Sequence, residues 1–164
     1  MIHAASSARK VIRDSSSSLR NISRLYQINE HMRVLYFIVL QSTDMKTILI
    51  VEDDVLLIKM YSQLLQSPDR TILEASDGKI GLEIVTNNKP DLILLDVMLG
   101  GGLNGFDVLE NLKKSDLTKN IPVIMHTSLD SEAKTAGSIG ADAYFIKSKT
   151  KLEELADKVD ELIK

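Results

Sequence analysis

From Met45 onward, short aliphatic runs alternate with longer stretches whose apolar residues recur every three or four positions. Thr47–Val51, Thr71–Leu73, Leu92–Leu95, Val123–Met125 and Ala143–Ile146 have the length and β-branched content of buried strands. Between them, Leu57, Tyr61, Leu64 and Leu65 form one helical stripe, Leu82 and Val85 the next, and Phe106, Leu109 and Leu112 the third. Ala133, Ala136 and Ile139 give a thin fourth stripe, predicting a helix over Leu129–Ile139. Leu152, Leu155, Val159 and Leu162 form the last and most regular stripe. Asp54, Asp77 and Asn104 stand at N-cap positions, and Pro90 and Pro122 mark entries into strands. Five strands alternating with five helices predict an α/β fold, a doubly wound five-stranded parallel sheet. Helices on both faces explain why the strands are apolar throughout.

Residues 1–44 break the pattern. Ser15–Ser18 and scattered Arg9, Arg13, Arg20 and Arg24 leave no sustained apolar face. Such serine- and arginine-rich, acid-poor composition is shared by transit peptides, disordered leaders, docking segments and sequence upstream of an internal start at Met45. We expect an N-terminal extension over 1–44, disordered or a start-site artefact, and one domain over 45–164. Charge divides the same way. The extension carries six Lys/Arg against three Asp/Glu, net +3, and the remainder fourteen against twenty, net −6. An acidic domain is a poor direct binder of nucleic acid. The absence of cysteine excludes disulfides and thiolate metal sites. The longest apolar run, Val34–Leu40, is too short for a membrane span. A cytoplasmic protein is the expectation.

Candidate chemistry gathers where the strands end. Ile48–Val51 runs into Glu52 and Asp53, Leu92–Leu95 into Asp96, Val123–Met125 into His126 and Thr127, and Tyr144–Ile146 into Lys147. In an open parallel sheet, ligands bind outside the carboxyl ends of the strands, where chain order reverses. Asp54 directly precedes a helical run and is assigned to capping. Glu52, Asp53 and Asp96 remain as a set of oxygen ligands suited to Mg²⁺. Unneutralised carboxylates so close raise one another's pKa; beside a cation Asp96 ionises and can act as a nucleophile toward phosphorus. Lys147 can pair with a phosphoryl oxygen, and Thr127 can offer its hydroxyl to another. Taken singly, each has a plainer reading: a turn acid, a snorkelling lysine, a strand-forming threonine.

These stretches resemble the receiver domain of two-component response regulators, with a chemotaxis-regulator-like or flavodoxin-like fold. The resemblance rests on Ile48-Leu49-Ile50-Val51-Glu52-Asp53-Asp54, Pro90-Asp91-Leu92-Ile93-Leu94-Leu95-Asp96, Ile121-Pro122-Val123-Ile124-Met125-His126-Thr127 and Gly140-Ala141-Asp142-Ala143-Tyr144-Phe145-Ile146-Lys147, and covers residues 46–164. It implies that Asp96 accepts phosphate from a phosphohistidine on a histidine kinase or histidine phosphotransfer protein. It implies that Asp53, Asp96 and the main-chain carbonyl of Met98 bind Mg²⁺, with Glu52 acting through water. Thr127 and Tyr144 would form the switch pair, and Lys147 the phosphoryl contact.

Two positions depart from the family pattern. Gly100 stands where a proline is usual, with the following glycine one residue late at Gly105, so a longer, more mobile loop is expected. Ser148 follows Lys147 in place of a cis proline; because a cis bond to a non-proline costs about 3–4 kcal/mol, a trans bond is expected. The chain stops at Lys164, at the close of the last stripe, so a stand-alone switch is expected. Its output would leave through Leu129–Ile139, Ala143–Ile146 and the last helix, because the glycine-bearing fourth helix has the least burial to stabilise it. Two rivals stand beside this reading. One is a degenerate receiver that binds partners without phosphate. The other is an aspartate-nucleophile phosphatase, disfavoured by Met98 where that class places a second aspartate. A dinucleotide-binding domain is excluded, since its glycine-rich turn would fall on Glu52-Asp53-Asp54.

Overall fold

The computed structural model describes residues 45–163. Expectations placed on residues 1–44 lie outside the described residues. The five strands are β1 (Lys46–Val51), β2 (Arg70–Ala75), β3 (Leu92–Leu95), β4 (Val123–Thr127) and β5 (Ala143–Ile146). The helices are α1 (Val55–Leu65), α2 (Gly78–Asn88), α3 (Gly105–Lys114), α4 (Ala133–Ile139) and α5 (Leu152–Leu162). All strand pairings are parallel, in the order β2-β1-β3-β4-β5. This is the flavodoxin-like doubly wound sheet, with its chain reversal between β1 and β3.

Alternation along the strands divides the core into two layers. Leu49, Val51, Ile93, Leu95, Val123 and Met125 pack with Val85 of α2, Val108, Leu109 and Leu112 of α3, and Ala136 of α4. On the opposite face, Ile48, Ile50, Leu92, Leu94 and Ile124 meet Ile58, Tyr61 and Leu65 of α1 and Leu155 and Val159 of α5. Strands buried on both faces have no polar side, which is why their periodicity vanishes into continuous apolar runs. The α1 stripe is rotated slightly from its expected position. Ile58 is buried, while Leu57 and Leu64 flank it and are only partly covered.

Caps fall where expected. Asp54 accepts hydrogen bonds from the N–H groups of Leu56 and Leu57, and Asp77 from that of Ile80. Asn104 and Asp107 form a reciprocal capping box on α3. The fourth helix is shorter than its apolar spacing implied, beginning at Ala133 instead of near Leu129. The backbone of Leu129 is engaged elsewhere. Its N–H donates to Thr127 Oγ1 at 3.4 Å and its carbonyl accepts from the Tyr144 hydroxyl at 2.7 Å. No peptide bond among the described residues is cis, so Ser148 follows Lys147 through a trans bond.

Candidate functional site

Register delivers the strand-end residues to one place. Val51 pairs with Leu95, Leu95 with Met125, and Thr127 with Ile146, so the following residues emerge side by side. Ladder bonds continue just past the strands and fix the backbone there. Glu52 N–H donates to the Ala75 carbonyl at 3.0 Å, Asp96 N–H to Val51 at 3.0 Å, and Lys147 N–H to Thr127 at 2.8 Å. The loop after β3 must then leave the crevice at once. A Cβ on Gly105 would stand 2.1 Å from the Asp96 carbonyl oxygen, so only glycine lets α3 start against β3. Gly101 and Gly102 turn the preceding loop with φ of 86° and 97°, a region that side chains disfavour.

Glu52, Asp96 and Thr127 are buried, and Asp53 is exposed at the mouth. Carboxylate oxygens of Glu52, Asp53 and Asp96 all lie within 4.8 Å of one another. The Lys147 ammonium bridges two of them, donating to Glu52 at 2.7 Å and to Asp96 at 2.6 Å. The second Asp96 oxygen accepts from the Met98 N–H at 3.2 Å. Burial lifts the Glu52 carboxyl above its usual range; the Lys147 bond opposes this and Asp96 adds to it. Burial also works against the Lys147 charge, but the bonds to Asp96 and Glu52 outweigh it and raise the pKa. Three hard oxygen donors converging from two strand ends, one open to water, fit a divalent cation such as Mg²⁺, which keeps part of its hydration shell.

Tyr144 is half-buried on β5, its hydroxyl donating to the Leu129 carbonyl across the β4–α4 connection. Burial raises its pKa, and the nearby carboxylates of Glu132, Asp130 and Asp96 add to that. Asp53 also lines a cleft of about 580 Å³, together with Val97, Met98, Leu99, Gly100, Asn104, Phe106, Leu129 and Glu132. The structure thus gathers Glu52, Asp53, Asp96, Thr127 and Lys147 at one end of the sheet, with Met98 and Tyr144 on its rim. Two neighbours of this cluster stood in the sequence only as a strand-end residue and a helical core position, with nothing to join them. His126 and Tyr61 meet ring against ring, tilted at 59°, and the signal for them was a histidine set in an otherwise apolar strand.

The fold and this acid-lysine crevice define a phosphoryl-accepting signalling domain. Residues 48–160 match the response regulator receiver domain family, and the chain belongs to it. It is 39% identical over 104 residues to the phosphate regulon transcriptional regulatory protein PhoB of Pseudomonas aeruginosa, covering 62% of this chain and 45% of that protein. Over 88 residues it is 35% identical to protein PilH of the same organism, covering 54% of this chain and 72% of PilH. The crystal structure of a CheY-like response regulator receiver domain protein from Methanospirillum hungatei superposes with a TM-score of 0.66 at 29% identity, covering 73% of this chain and 94% of that one. The chain spans under half the length of the first curated relatives it matches. Receiver domains are signalling domains and not enzymes; they take phosphoryl groups from histidine kinases or phosphotransfer proteins, and they bind Mg²⁺ at an acidic pocket. Among the described residues, no helix is long and apolar enough to cross a membrane.

Proposed function

We propose that the chain acts as a cytoplasmic response regulator receiver that takes a phosphoryl group on Asp96 and switches its binding to another protein. The observation that carries this is the Lys147 ammonium held between Glu52 and Asp96, with Asp53 open at the mouth. An Asp96 oxygen attacks the phosphorus of a donor phosphohistidine. The phosphorus–nitrogen bond breaks, and its electron pair leaves with the imidazole of the kinase or phosphotransfer protein. Asp53, Asp96 and the Met98 carbonyl would hold Mg²⁺, with Glu52 acting through water. The bound ion would neutralise charge on the transferring oxygens. Lys147 turns from its carboxylate partners to a phosphoryl oxygen, and the Thr127 hydroxyl is drawn to another. Tyr144, already tied to the loop after Thr127, follows that motion. Output leaves through α4, β5 and α5 to a downstream protein, with no direct contact to nucleic acid.

Intact-protein mass after incubation with acetyl phosphate and Mg²⁺ tests this reading. We expect a gain of one phosphate in the wild type and none in Asp96→Asn. An unmodified wild type, with an intact fold, would instead favour binding without phosphorylation.

A further inference from the structure

His126 ends β4 beside Thr127 and is 3% exposed. Its ring lies against Tyr61 of α1, with centroids 5.2 Å apart and planes inclined at 59°. Neither ring nitrogen has a hydrogen-bond partner among the described residues. Burial, helped by the Lys147 charge and opposed by Asp96, holds the imidazole down to about 4, so the ring is neutral near pH 7. Tyr61 is 2% exposed, and its phenol is raised first by burial and then by the charges of Glu52, Asp96 and Asp54. These two buried rings therefore bring the end of β4 into direct contact with α1.

An apolar side chain in place of His126 would make that contact without leaving a buried polar group unsatisfied. The position has a second property that matters more. Successive strand residues point to opposite faces. Met125 belongs to the layer shared with α2, α3 and α4, and Ile124 to the layer shared with α1 and α5. Thr127 and His126 continue that alternation, and the contact of His126 with Tyr61 places it on the α1 side. One strand end thus carries the hydroxyl on one face and an imidazole on the other. Close-packed interiors transmit small shifts because there is no free volume to absorb them.

We propose that His126 and Tyr61 couple the phosphoryl state of Asp96 to α1, so that the site is linked to a second face besides α4–β5–α5. This rests on the reading of Asp96 as phosphoacceptor and of Thr127 as the hydroxyl that moves. When Thr127 is drawn toward the phosphoryl group, the end of β4 moves with it, and His126 shifts against Tyr61. The α1 helix then settles differently on the sheet. Its first turn exposes Val55 (57%) and Leu56 (75%), so the change occurs on an apolar surface that a protein partner can read. Linkage makes the effect reciprocal: a partner bound on α1 shifts the phosphoryl equilibrium by the same free energy.

Hydrogen exchange with and without beryllofluoride and Mg²⁺ tests the coupling in wild type, His126→Leu and Tyr61→Leu. In the wild type, amides 57–65 should change exchange rate by about threefold or more. In either variant that change should fall to within about 1.5-fold, while amides 128–147 keep their response. Two results would overturn the coupling: an undiminished response of 57–65 in both variants, or a wild type in which 128–147 responds and 57–65 does not. A wild type in which no segment responds, and which also gains no mass from acetyl phosphate, removes the phosphoacceptor reading and the coupling with it.

Discussion

Aspartates stand at both ends of this sheet, and the two ends treat them differently. At the amino ends, Asp91 accepts a hydrogen bond from the Thr47 N–H at 2.7 Å and donates its own N–H to the Thr47 carbonyl at 2.7 Å. Asp142 does the same with Val123, accepting at 2.8 Å and donating at 2.9 Å, and also receives Lys113 at 3.3 Å. Each is a clamp joining neighbouring strands. At the carboxyl ends, Glu52, Asp53 and Asp96 face one another, and the hydrogen-bonding partner shared by Glu52 and Asp96 is Lys147. The difference follows from strand direction. Amino ends of parallel strands present N–H groups, which welcome carboxylates; carboxyl ends present carbonyls, which do not. Acids at the first end stabilise the fold, whereas acids at the second create demand for a cation. That arrangement is what suits the carboxyl end to a divalent cation.

The largest contrast should come from Asp53→Ala. We expect it to abolish Mg²⁺-dependent labelling by acetyl phosphate, while the metal-free fold is unharmed or slightly stabilised by the loss of repulsion. Intact mass and thermal unfolding without Mg²⁺ read the two arms; normal labelling would break the assignment of the acid pair. Lys147→Ala comes next. It leaves Glu52 and Asp96 buried together without their ammonium, and breaking a buried ion pair typically destabilises by about 3 kcal/mol. Urea unfolding at pH 7 should show that loss and its partial recovery on adding Mg²⁺, while phosphate labelling is impaired. Full labelling with unchanged stability would return Lys147 to an ordinary edge lysine.

Acid should weaken the carboxyl-end side through His126. Its folded-state pKa of about 4 lies below that of the unfolded chain. Above about pH 6.5 both states are neutral there and the full stability is present. As pH falls, the unfolded chain takes up the proton first, so stability is lost, by about 2 kcal/mol at pH 5. Glu52 has the opposite sign: its raised carboxyl binds a proton more readily in the fold, so its contribution is lost as pH rises. The difference between wild type and His126→Leu isolates the histidine. Urea midpoints at pH 7.5 and pH 5 should converge more closely in the variant; equal acid sensitivity in both would show that the imidazole is not held neutral.

Much of this is legible in the sequence, for reasons that also explain the gaps. Strand ends were readable because continuous apolar runs stop sharply at Glu52, Asp96, Thr127 and Lys147, and a parallel sheet sends all those ends the same way. Capping by Asp54, Asp77 and Asn104 was readable because it is local. The start of α4 was not, since the competing bonds of Leu129 come from Thr127 and from Tyr144, fifteen residues on. Gly105 marked only a family departure in sequence; its close approach to Asp96 needs two chain segments in place. The Tyr61–His126 contact lies across 65 residues, and helical spacing describes Tyr61 as just another core position. Asp91 and Asp142 were equally silent, because an acid beside a strand looks the same at either end.

The smallest effect is the one that sharpens the comparison most. Asp142→Ala removes the side-chain acceptor of the Val123 N–H and a partner of Lys113, but leaves the Asp142 N–H to Val123 carbonyl bond in place. Its side chain is 37% exposed, so water replaces part of what is lost and the ion-pair contribution is small. The main effect is the part-buried Val123 N–H, for which about 1 kcal/mol is expected. Asp91→Ala should behave alike through Thr47. Both variants should lower the urea midpoint without altering acetyl phosphate labelling or its Mg²⁺ dependence, since neither side chain lies at the Glu52–Asp53–Asp96 end of the sheet. Reduced labelling in a fully folded Asp142→Ala protein would show that the two ends of the sheet are coupled, and the division between clamping and reactive acids would fail.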